Sequence, residues 1–150
     1  MQAVNTSPEE LLLENQFCFP LYACAKEVVR QYRKPLEALN LTYTQYLVMM
    51  VLWEHEKLNV KELGEKLYLD SGTLTPVLKS LEAKGFLRRY RSEEDERVLN
   101  VELTDAGWNL RDAALDVPGK VNSGIKLNAG EVVQLYELLY KVLGGLNEEE

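Results

Sequence analysis

Apolar side chains recur at helical spacing over long stretches of the chain. Between residues 7 and 39 they follow steps of seven, four, three, four, three and four residues, at Leu11, Cys18, Tyr22, Ala25, Val29, Tyr32 and Leu36. This spacing predicts one long helix with an apolar face. Ser7 is its expected N-cap and Pro8 its first residue. Pro20 predicts a kink or break one turn before it, and Pro35 predicts a second one or the end of the helix.

The same spacing predicts three more helices before residue 86. Residues 41–56 are apolar nearly all round, which indicates a buried helix with Thr42 or Thr44 as its N-cap. A short helix is expected after Asn59, whose side chain would cap it together with Glu62 three residues later. Residues 70–85, DSGTLTPVLKSLEAKG, predict the fourth helix, which Gly85 is expected to end.

Between residues 86 and 104 the pattern changes from helix to strand. The segments FLRRYRS and RVLNVELT flank the polar turn EEDE, which predicts a β-hairpin. Helical spacing then returns, with a fifth helix expected from the N-cap Thr104 and a sixth over residues 128–146. The sixth helix carries an apolar face at Val132, Leu135, Leu139 and Val142.

This order of elements is typical of a winged helix-turn-helix, in which two helices and a tight turn are followed by a two-stranded hairpin. We therefore predict a mainly α fold with a small β-hairpin, in a single domain over residues 1–150. The winged core would span about residues 42–104, between helical segments at about 7–39 and 105–147. A core of this size cannot cover the apolar faces of both flanking segments, so we expect them to form a homodimer.

The charge distribution points to double-stranded DNA as a partner. The 150-residue chain has a formal net charge of -7, which argues against nonspecific coating of nucleic acid. From Ser71 to Arg91, however, five basic residues oppose one acid, a local charge of +4 that leaves -11 for the remainder. A basic surface on an acidic body favours specific docking.

Nothing in the sequence predicts a membrane partner. No apolar run approaches the ~20 residues that span a bilayer. The first residues lack the basic region of a signal peptide. We therefore expect a cytoplasmic protein, in which a structural disulfide between Cys18 and Cys24 is not expected because the compartment is reducing.

The start of the fourth helix carries side chains expected to meet DNA. Ser71, Thr73 and Thr75 would lie in its first turn, where short hydroxyls let the backbone approach and the helix N-terminus attracts phosphate. Pro76 is expected near the start of the helix, where a backbone N–H would have no hydrogen-bond partner within the helix, so that its absence costs nothing. Lys79, one turn further, would reach a phosphate or a base edge. The segment also fits an ordinary capped surface helix, but the hairpin that follows favours the DNA interpretation.

The hairpin tip, SEEDER, is acidic but contains one arginine with a nearby carboxylate. Asp95 precedes Arg97 by two residues and could hold its guanidinium, so that Arg97 enters a minor groove. On the preceding strand, Arg88, Arg89 and Arg91 are predicted to meet phosphates. The alternative is a solvated turn without a role in DNA binding.

At this point the sequence resembles a known family. The segment DSGTLTPVLKSLEAKGFLRRYRSEEDERVLNVELTDAG is similar to the winged-helix repressors of the MarR family, whose wing signature is the run DER…V…LT…G. Three segments narrow the resemblance to the organic-hydroperoxide repressor (OhrR/SarZ-like) subgroup: LENQFCFPLYACAKEV, LTYTQYLVMMVLWE and LYLDSGTLTP. The resemblance covers nearly all of the chain. It implies a dimeric repressor, whose symmetry would match a pseudo-palindromic operator.

Cys18 has two interpretations. Its place on the apolar stripe favours a small buried hydrophobe, and no Lys or Arg lies within one helical turn to assist a thiolate. The resemblance instead implies that organic hydroperoxides oxidise Cys18, and that tyrosine hydroxyls of the partner subunit bind the reduced thiol. The matching positions are Tyr32 and Tyr43, with Tyr22 as a weaker candidate. Tyr32 lies roughly 21 Å from Cys18 along a straight helix, which is compatible with contact from an antiparallel partner.

The second cysteine favours a particular type within the subgroup. Cys24 is six positions from Cys18, about 120° around a helix, which makes an intrahelical disulfide implausible. No cysteine follows Cys24. The chain therefore resembles the one-cysteine type, in which a small cellular thiol captures the sulfenic acid. Pro20 replaces the usual apolar residue near the thiol and is expected to alter the helix there.

Two other functions compete with a redox-sensing repressor. One is a MarR-type regulator released by a small aromatic ligand, with Cys18 only structural. The other is an enzyme such as a thiol peroxidase, which the sequence disfavours. Its single histidine, His55, ends a predicted buried helix beside Glu54 and Glu56. The sequence has no metal-ligand spacing, Gly-rich phosphate loop or Ser/His/Asp set, so no metal or cofactor is expected.

Overall fold

A computed structural model describes residues 8–148, so the expected N-cap Ser7 lies outside the described range. Two 3₁₀ turns, Glu9–Leu11 and Leu13–Asn15, come first. The helices are α1 (Cys18–Glu37), α2 (Tyr43–His55), α3 (Val60–Leu67), α4 (Ser71–Ala83), α5 (Asp105–Ala114), α6 (Val117–Asn122) and α7 (Ala129–Glu148). The strands are β1 (Lys57–Asn59), β2 (Leu87–Arg91) and β3 (Leu99–Leu103). The predicted mainly α fold with a small antiparallel sheet is confirmed.

The N-terminal helix begins later than predicted. Residues 9–15 form the 3₁₀ turns, and α1 starts only at Cys18. A proline ring clashes with the carbonyl group four residues before it, so a helix running through Gln16 would break at Pro20. A helix that starts at Cys18 takes Pro20 into its first turn, where no N–H is missed. Gln16 Nε2 instead donates to the carbonyl oxygen of Glu10 (2.8 Å).

The break expected one turn before Pro20 is therefore confirmed at the extended Gln16, and α1 is one continuous helix from Cys18 onward. Pro35 lies in its last turn, and the helix ends two residues later at Glu37. Pro35 thus marks the helix end, one of the two outcomes that the sequence predicted. The two ends of α1 are held apart by the full length of a helix of 20 residues.

The core is built around α2. Val48, Met49 and Leu52 of this helix are fully buried, which confirms the predicted buried helix. They belong to one cluster with Leu63, Leu74, Leu78, Leu81, Leu87 and Val101 of α3, α4 and the sheet. Of the two expected N-caps, Thr42 is the one used: its Oγ1 accepts from the N–H of Gln45 (3.3 Å).

The predicted helix-turn-helix consists of α3 and α4. Asn59 caps α3 as expected, because its Oδ1 accepts from the N–H of Glu62 (2.8 Å), whose carboxylate accepts from the N–H of Asn59 (3.0 Å). The turn after α3 is tight, with Tyr68 in the left-handed region at φ 55°. Gly64 faces this turn so closely that a Cβ there would lie 2.6 Å from the carbonyl oxygen of Leu69. The turn therefore requires glycine at this position.

The predicted hairpin is confirmed, and it belongs to a three-stranded sheet. Gly85, at φ 81°, ends α4 as expected. β2 and β3 pair antiparallel, and Arg88 stands opposite Glu102. β1 pairs with the other edge of β3, giving the order β1–β3–β2. The sequence did not predict β1, because three residues are too few for an alternating pattern.

The C-terminal region contains three helices where two were predicted. Thr104 caps α5 as expected, accepting from the N–H of Gly107 (3.2 Å). The expected fifth helix is divided in two, and α6 carries Pro118 near its start and packs against α1. Helix α7 contains no buried residue, and its apolar face at Val132, Leu135, Leu139 and Val142 is 40 to 47% exposed. Within residues 8–148 no helix is long and apolar enough to cross a membrane.

Candidate nucleic-acid interface and thiol site

The first turns of α4 form an accessible polar surface. Asp70 Oδ1 accepts from the backbone N–H of Thr73 (2.7 Å), and this hydrogen bond holds the pKa of Asp70 below its usual value. Thr75 Oγ1 donates to the carbonyl oxygen of Ser71 (2.6 Å). Ser71, Thr73 and Lys79 are exposed and Thr75 is half-buried. Ser71, Thr75 and Lys79 are spaced by four residues and form one row along α4.

Pro76 lies deeper in the helix than the sequence predicted. It is the sixth residue of α4, beyond the first turn. An amide proton at this position would bond to the carbonyl group of Gly72, so the prediction that none is missed is wrong. The reason is that α4 begins as early as Ser71, capped by Asp70. Pro76 is itself exposed on the surface of the helix.

At the wing tip, Asp95 holds Arg97 as the spacing predicted. Asp95 Oδ1 accepts from Arg97 Nε (3.1 Å) and from its backbone N–H (3.0 Å), and Oδ2 accepts from Nη2 (3.2 Å). These contacts hold the pKa of Asp95 below its usual value. The Arg97 side chain nevertheless remains 90% exposed. The arrangement orients a guanidinium without burying it.

Two of the three strand arginines bind carboxylates of their own chain. Arg88 pairs with Glu102 and remains 65% exposed. Arg89 is only 17% exposed and donates to Glu82 Oε1 (3.1 Å). Arg91 is exposed and forms no ion pair within residues 8–148. The predicted row of phosphate-binding arginines is therefore uneven, with Arg91 the most available and Arg89 the least.

The two carboxylates were not singled out from the sequence. Glu102 could have been found, because a hairpin with its turn at EEDE places it opposite Arg88. Its second oxygen accepts from the Tyr90 hydroxyl (2.9 Å), and the hydrogen bond with Arg88 holds the pKa of Glu102 below its usual value. Glu82 gave no local signal, because its contact with Arg89 depends on how α4 packs against β2.

Cys18 is accessible rather than packed in the isolated subunit. It is the first residue of α1 and is exposed, as is Cys24. Tyr22, on the same stripe, is also 60% exposed, so the single chain does not bury this part of the stripe. The stripe is buried only where α1 meets the core, at Leu36. Near Tyr22 the ammonium of Lys26 lies 5.3 Å from the centre of the ring.

At the other end of α1 the predicted tyrosines lie together. The ring centres of Tyr32 and Tyr43 are 4.7 Å apart, and Tyr46 lies 5.8 Å from Tyr32. Burial raises the pKa of Tyr43, and the neighbouring Tyr32 adds to this effect. Tyr46 is a further member that the sequence did not single out, although it follows Tyr43 by one helical turn. Because α1 is unbroken, Cys18 lies roughly 21 Å from Tyr32 along the helix.

Comparison with known proteins agrees with this geometry. A family model described as transcriptional regulator SarA/Rot matches residues 30–113. The organic hydroperoxide resistance transcriptional regulator of Bacillus subtilis is 48% identical over 141 residues, covering 94% of this chain and 96% of the relative. The regulator SarZ of Staphylococcus haemolyticus is 41% identical over 131 residues, covering 87% and 89% of the two chains.

Solved structures show the same fold. Reduced AbfR bound to DNA superposes with a TM-score of 0.76 at 36% identity, covering 89% of this chain and 94% of that one. A mutant MarR from E. coli complexed with operator DNA superposes with a TM-score of 0.73 at 27% identity, covering 84% and 92%. The chain therefore belongs to the MarR family of winged-helix transcriptional regulators, in the subgroup of the organic-hydroperoxide and SarZ regulators.

Proposed function

We propose that this regulator is a homodimeric repressor that binds a pseudo-palindromic operator and releases it when organic hydroperoxides oxidise Cys18. The observation that carries the proposal is the placement of the thiol and the tyrosine cluster at opposite ends of an unbroken α1. The two groups cannot meet within one chain. An antiparallel partner would bring its Tyr32 and Tyr43 beside Cys18.

The DNA contacts of this proposal come from α4 and the wing. The row of Ser71, Thr75 and Lys79 would enter the major groove, with Thr73 beside it and the α4 N-terminus near a phosphate. Arg97, held by Asp95, would enter the minor groove. Arg91, and Arg88 beside its Glu102 partner, would meet phosphates. The solved AbfR structure on DNA and the MarR operator complex support this placement by similarity.

The dimer contacts would come from the first and last helices. The exposed apolar face of α7 and the exposed apolar residues of α1 need a covering surface, because exposed apolar patches of this kind mark interfaces. A second copy of the chain provides the complementary helices. Two-fold symmetry would then place two copies of α4 about one turn of DNA apart, roughly 34–36 Å.

The chemistry requires only the thiol, a hydroperoxide and a small thiol. The thiolate of Cys18 attacks the peroxide oxygen, breaks the O–O bond and forms a sulfenic acid, while the alkoxide leaves as an alcohol after taking a proton. A small cellular thiol then displaces water from the sulfenic acid and forms a mixed disulfide. The position at the α1 N-terminus suits an anionic group, because the first backbone N–H groups of a helix favour negative charge.

Release of DNA would follow from crowding at the modified site. Moving an operator from 99% to 1% bound requires a differential affinity of about 5.5 kcal/mol. Overpacking at one packed site typically costs ~1–3 kcal/mol. Two modified thiols per dimer could together reach the required change in affinity. The crowded subunits would rotate, and the rotation would misplace one copy of α4 relative to the other.

A DNA-binding titration tests the proposal. The duplex is one selected by the reduced protein from random-sequence DNA, and the oxidant is cumene hydroperoxide with a small thiol. Wild type should release the duplex, Cys24→Ser should do the same, and Cys18→Ser should remain bound. If Cys18→Ser releases DNA as readily as wild type, the regulator released by a small aromatic ligand becomes the better description.

A further inference from the structure

One buried polar side chain connects α4, the proposed recognition helix, to the end of α2 that carries Tyr43 and Tyr46. Gln45 is only 5% exposed, and it is the one polar or charged side chain that is buried within residues 8–148. Its Nε2 donates to Ser80 Oγ in α4 (2.9 Å). Its Oε1 accepts from the N–H of Thr42 (3.0 Å) and from Lys84 Nζ (2.8 Å). A single amide thus joins the first turn of α2 to the last turns of α4.

Lys84 makes the second connection. Besides Gln45, its ammonium donates to the carbonyl oxygen of Asn40 (2.6 Å). Asn40 belongs to the loop between α1 and α2 and has a left-handed backbone at φ 55°. This loop joins the helix that carries Tyr32 to the helix that carries Tyr43. The loop is therefore hydrogen-bonded, through Lys84, to the C-terminal end of α4.

The tyrosine cluster adjoins the same helix end. Tyr43 is the first residue of α2, and Tyr46, 3% exposed, follows Gln45 directly. Tyr43 and Gln45 lie in the same turn of α2, and the Tyr32 ring packs against Tyr43. A displacement of either ring that tilts the start of α2 must therefore also move Gln45. Hydrogen bonds are directional, whereas apolar contacts with the core are not. The bonds to Ser80 and Lys84 would therefore transmit such a tilt to α4.

We propose that Gln45 is a positioning residue which, through Ser80 and Lys84, sets the orientation of α4 according to the state of the tyrosine pair. This inference rests on the proposed function and deepens it. The bonded end of α4 acts on the DNA-facing end through the length of the helix. Nine residues separate Ser80 from Ser71, about 14 Å, so a tilt of about 10° would shift the DNA-facing turn by about 2 Å.

The test measures how strongly oxidation changes DNA affinity. The dissociation constant for the selected duplex is determined for the reduced protein and after cumene hydroperoxide with a small thiol, and the ratio of the two is compared among variants. Gln45→Leu removes all three hydrogen bonds of the amide at similar volume. Ser80→Ala removes only the bond between Gln45 and Ser80, and Lys84→Met removes the bonds of the ammonium to Gln45 and Asn40.

We expect Gln45→Leu to lower the ratio by at least about threefold, within the range of measured changes in coupling. Ser80→Ala and Lys84→Met should lower it less. Lys126→Met, an exposed lysine in the loop before α7, is the matched control and should keep the wild-type ratio. If Gln45 had a purely structural role, Gln45→Leu would instead raise both dissociation constants by the same factor and leave their ratio unchanged.

The outcomes separate this inference from the function on which it rests. A wild-type ratio of one contradicts the proposed function, and the role of Gln45 falls with it. A large wild-type ratio that Gln45→Leu and Ser80→Ala both retain overturns the role of Gln45 alone. The role of Gln45 is also overturned if Gln45→Leu lowers the ratio but the control Lys126→Met lowers it by as much. Circular dichroism checks folding, and if Gln45→Leu does not fold, Ser80→Ala decides.

Discussion

Glu82, in the last turn of α4, accepts hydrogen bonds from both the backbone N–H (2.8 Å) and the guanidinium (3.1 Å) of Arg89 in β2. One carboxylate therefore fixes the recognition helix against the wing strand. The arginine that the sequence assigned to phosphate contact is held inside the fold by this pair. The strand β2 and the helix α4, which carry groups proposed to meet DNA, are thus joined by one ion pair.

Replacing Glu82 should destabilise the protein in a pH-dependent way. Glu82→Gln removes the ion pair and should lower the free energy of unfolding at pH 7 by about 1 kcal/mol, the upper end for partly exposed pairs. The hydrogen bond from the Arg89 guanidinium holds the pKa of Glu82 below its usual value. The stabilisation is therefore complete above the unfolded pKa of about 4.3 and is lost as the pH falls through the lower folded pKa.

Urea denaturation of wild type and Glu82→Gln between pH 7 and pH 3 measures this difference. Glu65→Gln, an exposed glutamate in α3 without an ion pair in the described part of the chain, is the control and should have little effect at any pH. A difference between wild type and Glu82→Gln that keeps its full size at the lowest pH would contradict the assigned ion pair.

Removing the wing arginine should weaken DNA binding. Arg97→Ala should lower affinity for the selected duplex about fivefold to 150-fold, because it removes the guanidinium that Asp95 holds and that we propose enters the minor groove. Fluorescence anisotropy at fixed salt measures the change.

Lys79→Ala on α4 provides the comparison for the wing variant. A lysine that only neutralises a phosphate should reduce the salt dependence of binding, by about one unit of slope, with a similar loss on all sequences. Equal affinity of Arg97→Ala and wild type at every salt concentration would show that the wing does not enter DNA.

A charge on the apolar face of α7 should separate the subunits. Leu139 is 40% exposed in the single chain, and the proposed dimer would bury it. Leu139→Glu should therefore yield a monomer in sedimentation at micromolar concentration, whereas Lys141→Glu, on the opposite side of α7, should remain a dimer. A wild type that sediments as a stable monomer would rule out the interface.

The tyrosine hydroxyls should act on the thiol of the partner subunit. Tyr43→Phe keeps the ring contact with Tyr32 but removes one hydroxyl, and should slow oxidation of Cys18 about fivefold, the effect of one hydrogen bond of about 1 kcal/mol. Rapid mixing with cumene hydroperoxide, quenching and mass spectrometry measure the rate.

Mixed dimers distinguish contact between subunits from contact within one. One subunit carries Cys18→Ser with intact Tyr43, and the other carries Tyr43→Phe with intact Cys18. If the contact is between subunits, the remaining Cys18 faces the intact Tyr43 and reacts at the wild-type rate. Reaction at the slow rate of the Tyr43→Phe homodimer would place the hydroxyl and thiol in the same chain.

The winged core was predictable because its signals are local. The caps at Asn59 and Thr104 each lie within three residues of the N–H groups they bind, and Gly85 ends α4 through its own backbone conformation. The Asp95–Arg97 contact spans two residues and was found for the same reason.

The remaining features depend on contacts distant in sequence or on competing local effects. Gln45 reaches Ser80 across 35 positions, and β1 pairs only with β3. The start of α1 was misplaced because the stripe continues through Leu11, while the ring of Pro20 prevents the helix from extending that far. Periodicity records which residues share a face, but not where a proline allows a helix to begin.

The most direct test follows modification and DNA release in the same samples. The duplex-bound protein is titrated with cumene hydroperoxide and a small thiol. At each step anisotropy gives the fraction of DNA released and intact-protein mass spectrometry gives the fraction of Cys18 in mixed disulfide. The account predicts that release follows the modification of Cys18 and is absent in Cys18→Ser. Release of the duplex while Cys18 is still unmodified, or complete modification with the duplex still bound, would contradict it.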